Sequence, residues 1–150
     1  MPSISKELIQ EIRAKTGVSV MAVKKALEEA RGEVEHALEI LKKEAGVIAS
    51  RKQGRETKSG IIQSYVHNGK IGVLVKVRCE TDFVAKNPEF AEFTHELAMQ
   101  IAASSHADLK ALLKSPYIRD PALTVSDYVS QAVGRFGEKI EISDFSRIEL

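Results

Sequence analysis

The segment CETDFVAKN, at 79–87, holds the side chains of this sequence that are best suited to chemistry. Its first residue, Cys79, is the only cysteine of the chain and follows a run of valines. With His67, His95 or His106 as a base, a thiolate could act as a nucleophile. A lone cysteine after an apolar strand is more typical of a small buried hydrophobe, and we favour that interpretation. An enzyme that uses Cys79 stays open as an alternative, which predicts that Cys79→Ala abolishes function.

Two carboxylates in the same segment suggest an acid/base pair. Glu80 and Asp82 are two residues apart, so a regular strand places both on one face. Solvated carboxylates are the better interpretation, because nothing else in the sequence suggests a hydrolase. His95-Glu96 resembles the start of a zinc-protease helix, but Met99 stands where the second histidine is needed. No metal site is therefore predicted.

A phosphate-binding loop is the third chemistry to weigh. Gly69-Lys70 resembles the end of such a loop, but Ile71 replaces the required Ser or Thr, and no glycine lies five residues before Gly69. A hairpin turn is the better interpretation. We therefore expect no catalytic residues, no cofactor and no enzyme activity.

The composition is that of an ordinary folded protein with no global charge bias. Its 150 residues leave room for one domain and a second small module. Lys plus Arg number 22 against 21 Asp plus Glu, so the net charge of +1 gives no general attraction to nucleic acid or membrane. The N-terminus lacks the apolar region of a signal peptide, and no later run approaches about 18 apolar residues. We expect a cytoplasmic protein that binds neither nucleic acid directly nor a membrane.

The range 1–50 shows apolar residues at helical spacing in three short segments. The segments end at Gly17, Gly32 and Gly46, which are expected stops because glycine readily takes the left-handed conformation. We predict a three-helix module here and a linker over 51–60. That linker, RKQGRETKSG, has no apolar residue, and a solvated stretch is a simpler interpretation of its basic side chains than a phosphate contact.

The range 61–150 changes to a mixture of strand and helix patterns. Asn68-Gly69 lies between two β-branched runs and predicts a tight hairpin. Asn87-Pro88 predicts the capped start of a long helix with an apolar stripe. One face of the hairpin is therefore expected to pack on that helix.

The end of the chain adds two helices and a strand. A short helix is expected over 108–114, followed by a loop with two prolines. Thr124 and Asp127 approximate a capping box for the last helix, which Gly137 ends. The alternating pattern that follows predicts a strand within 139–150. The predicted fold is α+β: a three-helix module, then a small three-stranded antiparallel sheet packed with helices.

Three motifs occur in order along nearly the whole chain. The segment 79–87 has Thr-Asp-Phe-Val after a strand, the segment 8–27 reads LIQEIRAKTGVSVMAVKKAL, and 137–140 reads GEKI. Together they resemble the translation elongation factor Ts family. The second motif is similar to the first two helices of that family, and the third to the Gly-Glu-Asn-Ile that introduces its closing strand.

The resemblance implies a guanine-nucleotide exchange factor that binds elongation factor Tu, disturbs its magnesium and phosphate site, and promotes GDP release during translation elongation. It implies partner contacts by Thr81, Asp82, Phe83 and Val84. Phe83 is expected to enter an apolar pocket of the GTPase, and Asp82 to disturb the groups that hold the magnesium ion. From the residues alone, a core position is the favoured interpretation of Phe83, because an aromatic residue at a strand-to-helix junction is often buried; the resemblance reverses that preference.

The three helices, by the same resemblance, are similar to a ubiquitin-associated-type module that docks on the nucleotide-binding domain of the partner. Arg13, Val20 and Met21 match family residues in that contact, with Val20 standing where a methionine is common. The alternatives for Arg13 and Met21 are a solvated arginine and a core methionine.

The chain resembles a short form of the family, because only about 20 residues separate Ser105 from Val125. A single core half leaves an exposed sheet edge, so we expect a homodimer through Lys139 to Leu150. Ser146 stands where some short relatives have a cysteine, so no disulfide can hold that dimer. A non-catalytic helical adaptor, which binds its partners through 1–50, is the alternative function.

Overall fold

The computed structural model describes residues 3–150. Its elements, in chain order, are α1 (Lys6–Thr16), α2 (Val20–Glu29), α3 (Val34–Arg51), β1 (Ser59–His67), β2 (Ile71–Cys79), α4 (Asp82–Ala85), α5 (Pro88–Ala103), α6 (Leu109–Lys114), β3 (Pro116–Tyr117), β4 (Asp120–Thr124), α7 (Val125–Phe136) and β5 (Glu141–Glu149). Within the described residues, none of the helices has both the length and the apolar character needed to cross a membrane.

The first three helices bury a small core of their own. Ile12, Val23 and Leu27 are almost fully buried in it, together with Ala37 and Leu41 of α3. Ser19 begins α2 by accepting a hydrogen bond from the Ala22 N–H, and α1 ends as predicted at Gly17, whose φ is 71°. The three predicted helices are confirmed.

The predicted stop at Gly46 is wrong, because α3 continues through it to Arg51. Gly46 is exposed, and a glycine in a helix costs only about 1 kcal/mol relative to alanine. The apolar face meanwhile continues, since Ala45 is buried and Ala49 packs against the second core. The free energy gained by burying this face outweighs the cost of placing a glycine in the helix. The stretch that is neither helix nor strand therefore runs only from 52 to 58.

The sheet has the order β1-β2-β5, and both pairings are antiparallel. Asn68 and Gly69 turn the hairpin with φ values of 52° and 65°, as their sequence predicts. The central strand β2 buries Val73, Val75 and Val77 on its inner face. The three-stranded antiparallel sheet and the α+β class are confirmed.

The long helix α5 covers the inner face of the sheet at β1 and β2, and the second long helix, α7, packs against α5 and α3. α5 starts at its predicted cap, where the Asn87 side chain accepts from the Glu89 N–H at 2.9 Å, and its Phe90 and Phe93 are the largest fully buried side chains. α7 starts with the predicted capping box. α3 packs against α7, and its Lys42 pairs with Asp127 at 3.5 Å.

The predicted proline loop is instead the small antiparallel hairpin of β3 and β4. Buried Gln100 explains it, because its amide donates to the Pro116 carbonyl at 3.0 Å and accepts from the Ile118 N–H at 2.8 Å. Tyr117 also stacks on Tyr128 of α7, with ring centroids 4.1 Å apart. These are contacts between distant residues, which local turn signals do not reveal.

Among residues 3–150, no helix packs on the outer face of the sheet. Ile62, Val66, Leu74 and Ile148 point outward, with exposed fractions of 65%, 66%, 53% and 75%. The strand register places Leu74 opposite Ser146 on β5. We call these four side chains the outer apolar face.

Candidate partner-binding site

The chain turns directly from β2 into the single helical turn α4, which carries Phe83. Thr81 caps this turn, since its hydroxyl accepts from the Val84 N–H at 3.4 Å. Val84 and Ala85 are buried, whereas Phe83 is 84% exposed. The turn therefore anchors its inner side in the core and holds the phenyl ring in solvent.

Asp82 is exposed beside this ring, and its Oδ1 accepts a hydrogen bond from the Ser59 hydroxyl. Glu80 has different partners: its Oε1 accepts from the Lys139 N–H at 2.7 Å and from Arg55 at 3.3 Å. The Lys139 N–H, and secondarily Arg55, lower the pKa of the Glu80 carboxyl. The two carboxylates thus have separate structural partners, and no acid/base pair is assembled from them.

Glu138, which the sequence analysis did not single out as a site residue, joins this segment from the loop after α7. Its Oε1 accepts from the Glu80 and Thr81 N–H groups, both at 3.0 Å, and its Oε2 accepts from the Thr81 hydroxyl at 2.6 Å. The only sequence signal was the GEKI motif, interpreted as the start of a strand. The contact spans 57 residues of chain, so spacing alone could not reveal it.

Cys79 lies at the end of β2 with its side chain fully buried, and its thiol donates to the Thr81 carbonyl at 3.3 Å. Burial, and next the charge of Glu138, raise the pKa of this thiol. A reactive cysteine needs a lowered pKa, so the environment favours a packing role. Among residues 3–150, no group of three or more His, Cys, Asp or Glu side chains is arranged to hold a metal ion.

The second set of predicted contact residues lies where α1 meets α2. Met21 is 75% exposed and Val20 is 44% exposed, so neither is a core residue. Arg13 is exposed as well, and its Nε donates to the Val18 carbonyl at 3.2 Å, which holds the guanidinium group beside the turn between α1 and α2. This surface belongs to the small helical core, whereas Phe83 stands on the core that includes the sheet.

Comparison with known proteins identifies the family. The model of the family described as Elongation factor TS matches residues 80–150, from the Phe83 turn to the closing strand. Elongation factor Ts of Desulfosudis oleivorans is 33% identical over 196 residues, covering 100% of this chain and 99% of the relative. Elongation factor Ts of Fervidobacterium nodosum is 36% identical over 193 residues, covering 98% of each.

The fold and these similarities define a protein of translation elongation. The chain belongs to the elongation factor Ts family.

Length differs among these relatives. The alignment with the Desulfosudis protein runs over 196 residues whereas this chain has 150, so that relative has residues without a counterpart here. Elongation factor Ts of a Nostoc species is 40% identical over 151 residues, which cover 100% of this chain but 48% of the Nostoc protein.

Proposed function

We propose that this protein is a guanine-nucleotide exchange factor that binds elongation factor Tu, disturbs its magnesium and phosphate site, and promotes GDP release. The observation that carries the proposal is Phe83, which is 84% exposed on a capped turn within the Thr-Asp-Phe-Val motif of an elongation factor Ts family member. An aromatic ring held outward by a rigid element is the usual form of an interface anchor.

In this proposal, Phe83 enters an apolar pocket of the GTPase. Burying an exposed phenyl ring contributes on the order of 2 to 3 kcal/mol. Thr81 and Val84, which were also expected to touch the partner, have a supporting part here: Thr81 caps the turn, and Val84 is 4% exposed and anchors it.

Asp82 would act beside the ring. Its side chain is exposed to solvent, and the Ser59 hydroxyl donates to one of its oxygens, which orients the carboxylate. Placed near the magnesium site of the GTPase, this carboxylate would accept hydrogen bonds from the hydroxyl groups and waters around the ion, and would thereby weaken the hold on the phosphates.

Arg13, Val20 and Met21 form the second contact, on the nucleotide-binding domain of the partner. The support is their exposure on one end of a small helical module that we regard as ubiquitin-associated-like. An apolar pair beside a guanidinium is a suitable composition for the core and edge of a contact.

Binding energy, and not bond chemistry, would accelerate the release of GDP, so we propose no enzyme activity and no cofactor. If the factor loosens GDP, then GDP loosens the factor by the same ratio, and incoming nucleotide expels it. A thousandfold gain in the release rate needs only about 4 kcal/mol of differential binding.

We also propose a homodimer, and a two-to-two complex with the GTPase. The support is the outer apolar face, to which the C-terminal region Lys139 to Leu150 contributes Ile148. A second copy of the sheet would cover these side chains, because face-to-face sheets pack about 10 Å apart through such apolar residues.

The organisation that fits this function is a docking module built on the first three helices and a core for exchange and dimerisation that runs from β1 to β5, joined by the stretch 52–58 and not by the longer predicted linker 51–60. The two separate hydrophobic cores support the division. The proposed site of action is the cytoplasm, where the partner carries aminoacyl-tRNA, with no direct contact to nucleic acid or membrane by this chain.

The test is the release of a fluorescent GDP analogue from elongation factor Tu, stimulated by the wild type and by Phe83→Ala. We expect release to slow by at least about tenfold, since tenfold corresponds to only about 1.4 kcal/mol of lost contact. Ile118→Ala is the matched control, because it also truncates an exposed apolar side chain, 51% exposed on the β3–β4 hairpin.

Unchanged release by a folded Phe83→Ala variant would reject the role given to Phe83. If the wild type binds the GTPase without speeding GDP release, exchange itself is rejected. That result would favour the adaptor, which the exposed Val20 and Met21 also suit.

A further inference from the structure

The loop after α7 is tied to the turn that presents Phe83. Gly137 ends α7 with a φ of 72°, and the next residue, Glu138, turns its carboxylate to the junction of β2 and α4. There it accepts from two backbone N–H groups and one hydroxyl, those of Glu80 and Thr81. Hydrogen bonds to a charged acceptor are about twice as strong as neutral ones.

We propose that Glu138 is a positioning residue for exchange, which fixes the orientation of Phe83 by locking its capping residue Thr81. This inference rests on the exchange function proposed above. Glu138 itself is not assigned a contact with the partner; it acts through the turn.

The lock follows from the chemistry of a hydroxyl group. The Thr81 Oγ1 has one hydrogen to donate and two lone pairs. Because the hydrogen is directed to the Glu138 carboxylate at 2.6 Å, a lone pair is left to accept from the Val84 N–H at 3.4 Å. The carboxylate thus selects the rotor state in which Thr81 caps the turn.

A reciprocal bond makes the connection two-sided. The Glu80 carboxylate accepts from the Lys139 N–H at 2.7 Å, while the Glu80 N–H donates to Glu138. Two segments that are distant along the chain therefore fix each other through backbone N–H groups. Removing Glu138 leaves those groups of Glu80 and Thr81 without their acceptor, and the turn then samples orientations in which Phe83 is misplaced.

Stimulated exchange depends on the fraction of molecules in which the ring is in the docking orientation. We expect Glu138→Ala to slow stimulated GDP release by about tenfold at subsaturating factor. Glu138→Gln keeps the shape and one acceptor oxygen but loses the charge, so we expect an intermediate loss of about threefold.

The test is a double-mutant cycle of Glu138→Ala and Phe83→Ala, with GDP release and urea unfolding measured for all four proteins. If Glu138 acts through the ring, its replacement slows release in the wild type but changes it less than about twofold once Phe83 is gone. Its effect on unfolding is the same in both backgrounds. Amide exchange at Glu80 and Thr81 should also become faster in Glu138→Ala.

The control for a general loss of stability is Glu96→Ala. The Glu96 carboxylate accepts a hydrogen bond from Tyr117 and pairs with Arg119 on the β3–β4 hairpin. This control should leave unchanged both the rate of stimulated GDP release and the rates of amide exchange at Glu80 and Thr81. Two results would overturn the positioning role alone. One is that Glu138→Ala slows GDP release equally with and without Phe83. The other is that Glu138→Ala leaves release at the wild-type rate although Phe83→Ala slows it. No effect of Phe83→Ala rejects the proposed function of the ring, and the positioning role with it.

Discussion

The substitution Leu74→Lys places a charge in the middle of the outer apolar face and should separate the proposed dimer. Leu74 lies on the central strand of the sheet, with Ser64 opposite it on β1 and Ser146 opposite it on β5. It is 53% exposed in the single chain, so the substitution has room in the monomer and should cost little folding stability.

The size of the effect follows from the exposure of the four side chains. Full burial of a large aliphatic side chain contributes about 1.5 to 3 kcal/mol, and between a half and three quarters of each is still exposed, so each has about 1 to 2 kcal/mol left to gain. Two copies of the face give a gross gain of about 8 to 16 kcal/mol, against an association cost of about 4 to 15 kcal/mol.

A twofold interface counts each substitution twice. Leu74→Lys therefore removes about 2 to 4 kcal/mol of burial and adds the cost of desolvating two facing ammonium groups. A loss of about 4 kcal/mol weakens the dimer by about a thousandfold.

Sedimentation velocity of the free protein at tens of micromolar provides the measurement. The wild type should sediment as a dimer and Leu74→Lys as a folded monomer. Ile118→Lys, which adds the same charge at a similarly exposed site away from the sheet, should stay dimeric. A monomeric wild type, or a variant that associates as well as the wild type, would refute the reasoning.

Three further outcomes concern stability, each measured by urea unfolding with circular dichroism. Phe83→Ala should change the free energy of unfolding by less than about 0.5 kcal/mol, because the ring is exposed. Phe90→Ala, which truncates a core ring, should lower it by about 3 to 5 kcal/mol. Equal losses would contradict the assignment of one ring to the surface and the other to the core. Gly60 has a φ of 152°, and a Cβ there would clash with the backbone of the facing strand, so Gly60→Ala should lose at least about 2 kcal/mol; a neutral variant would contradict the strain. The pKa of Glu80 is lowered in the folded protein, first by the Lys139 N–H, so its stabilisation is present at neutral pH and is lost as the pH falls through the folded pKa. Glu80→Gln should therefore be less stable than the wild type at pH 7 and approach it below about pH 4, and a difference that does not depend on pH would argue against the ionised carboxylate.

Local signals predicted the elements that frame the site. Asn68-Gly69 sets its own turn because both residues tolerate positive φ, and Asn87 and Thr124 cap helices that start within three residues of them. The apolar stripes placed the correct faces inward. These features depend on neighbours in sequence, which is why spacing revealed them.

Contacts between distant segments were not predictable in this way. The sequence predicts a helix end at Gly46, but α3 continues because Ala49 packs against a second core, and such tertiary packing cannot be inferred from local signals. The β3–β4 hairpin likewise depends on contacts between distant residues, because the Gln100 side chain of α5 binds its backbone.

Within the candidate site, α4 has only four residues, too few for a periodic pattern to separate the buried Val84 from the exposed Phe83. The interpretation of Phe83 as a contact residue came from the resemblance to a family. The hydrogen bonds from Glu80 and Thr81 to Glu138 are visible only in the folded structure.

The continuity of α3 has a consequence for how tightly this protein can hold a partner. Its first half packs in the helical core, and its last turns reach the core that includes the sheet. Between them, Lys42 donates to the Ala122 carbonyl on β4 at 3.1 Å. The Met21 surface and the Phe83 turn are thereby carried by one connected frame. In the proposed complex, the binding of one surface to the GTPase would present the other at a high effective concentration, and the two contacts would reinforce each other because no flexible tether separates them.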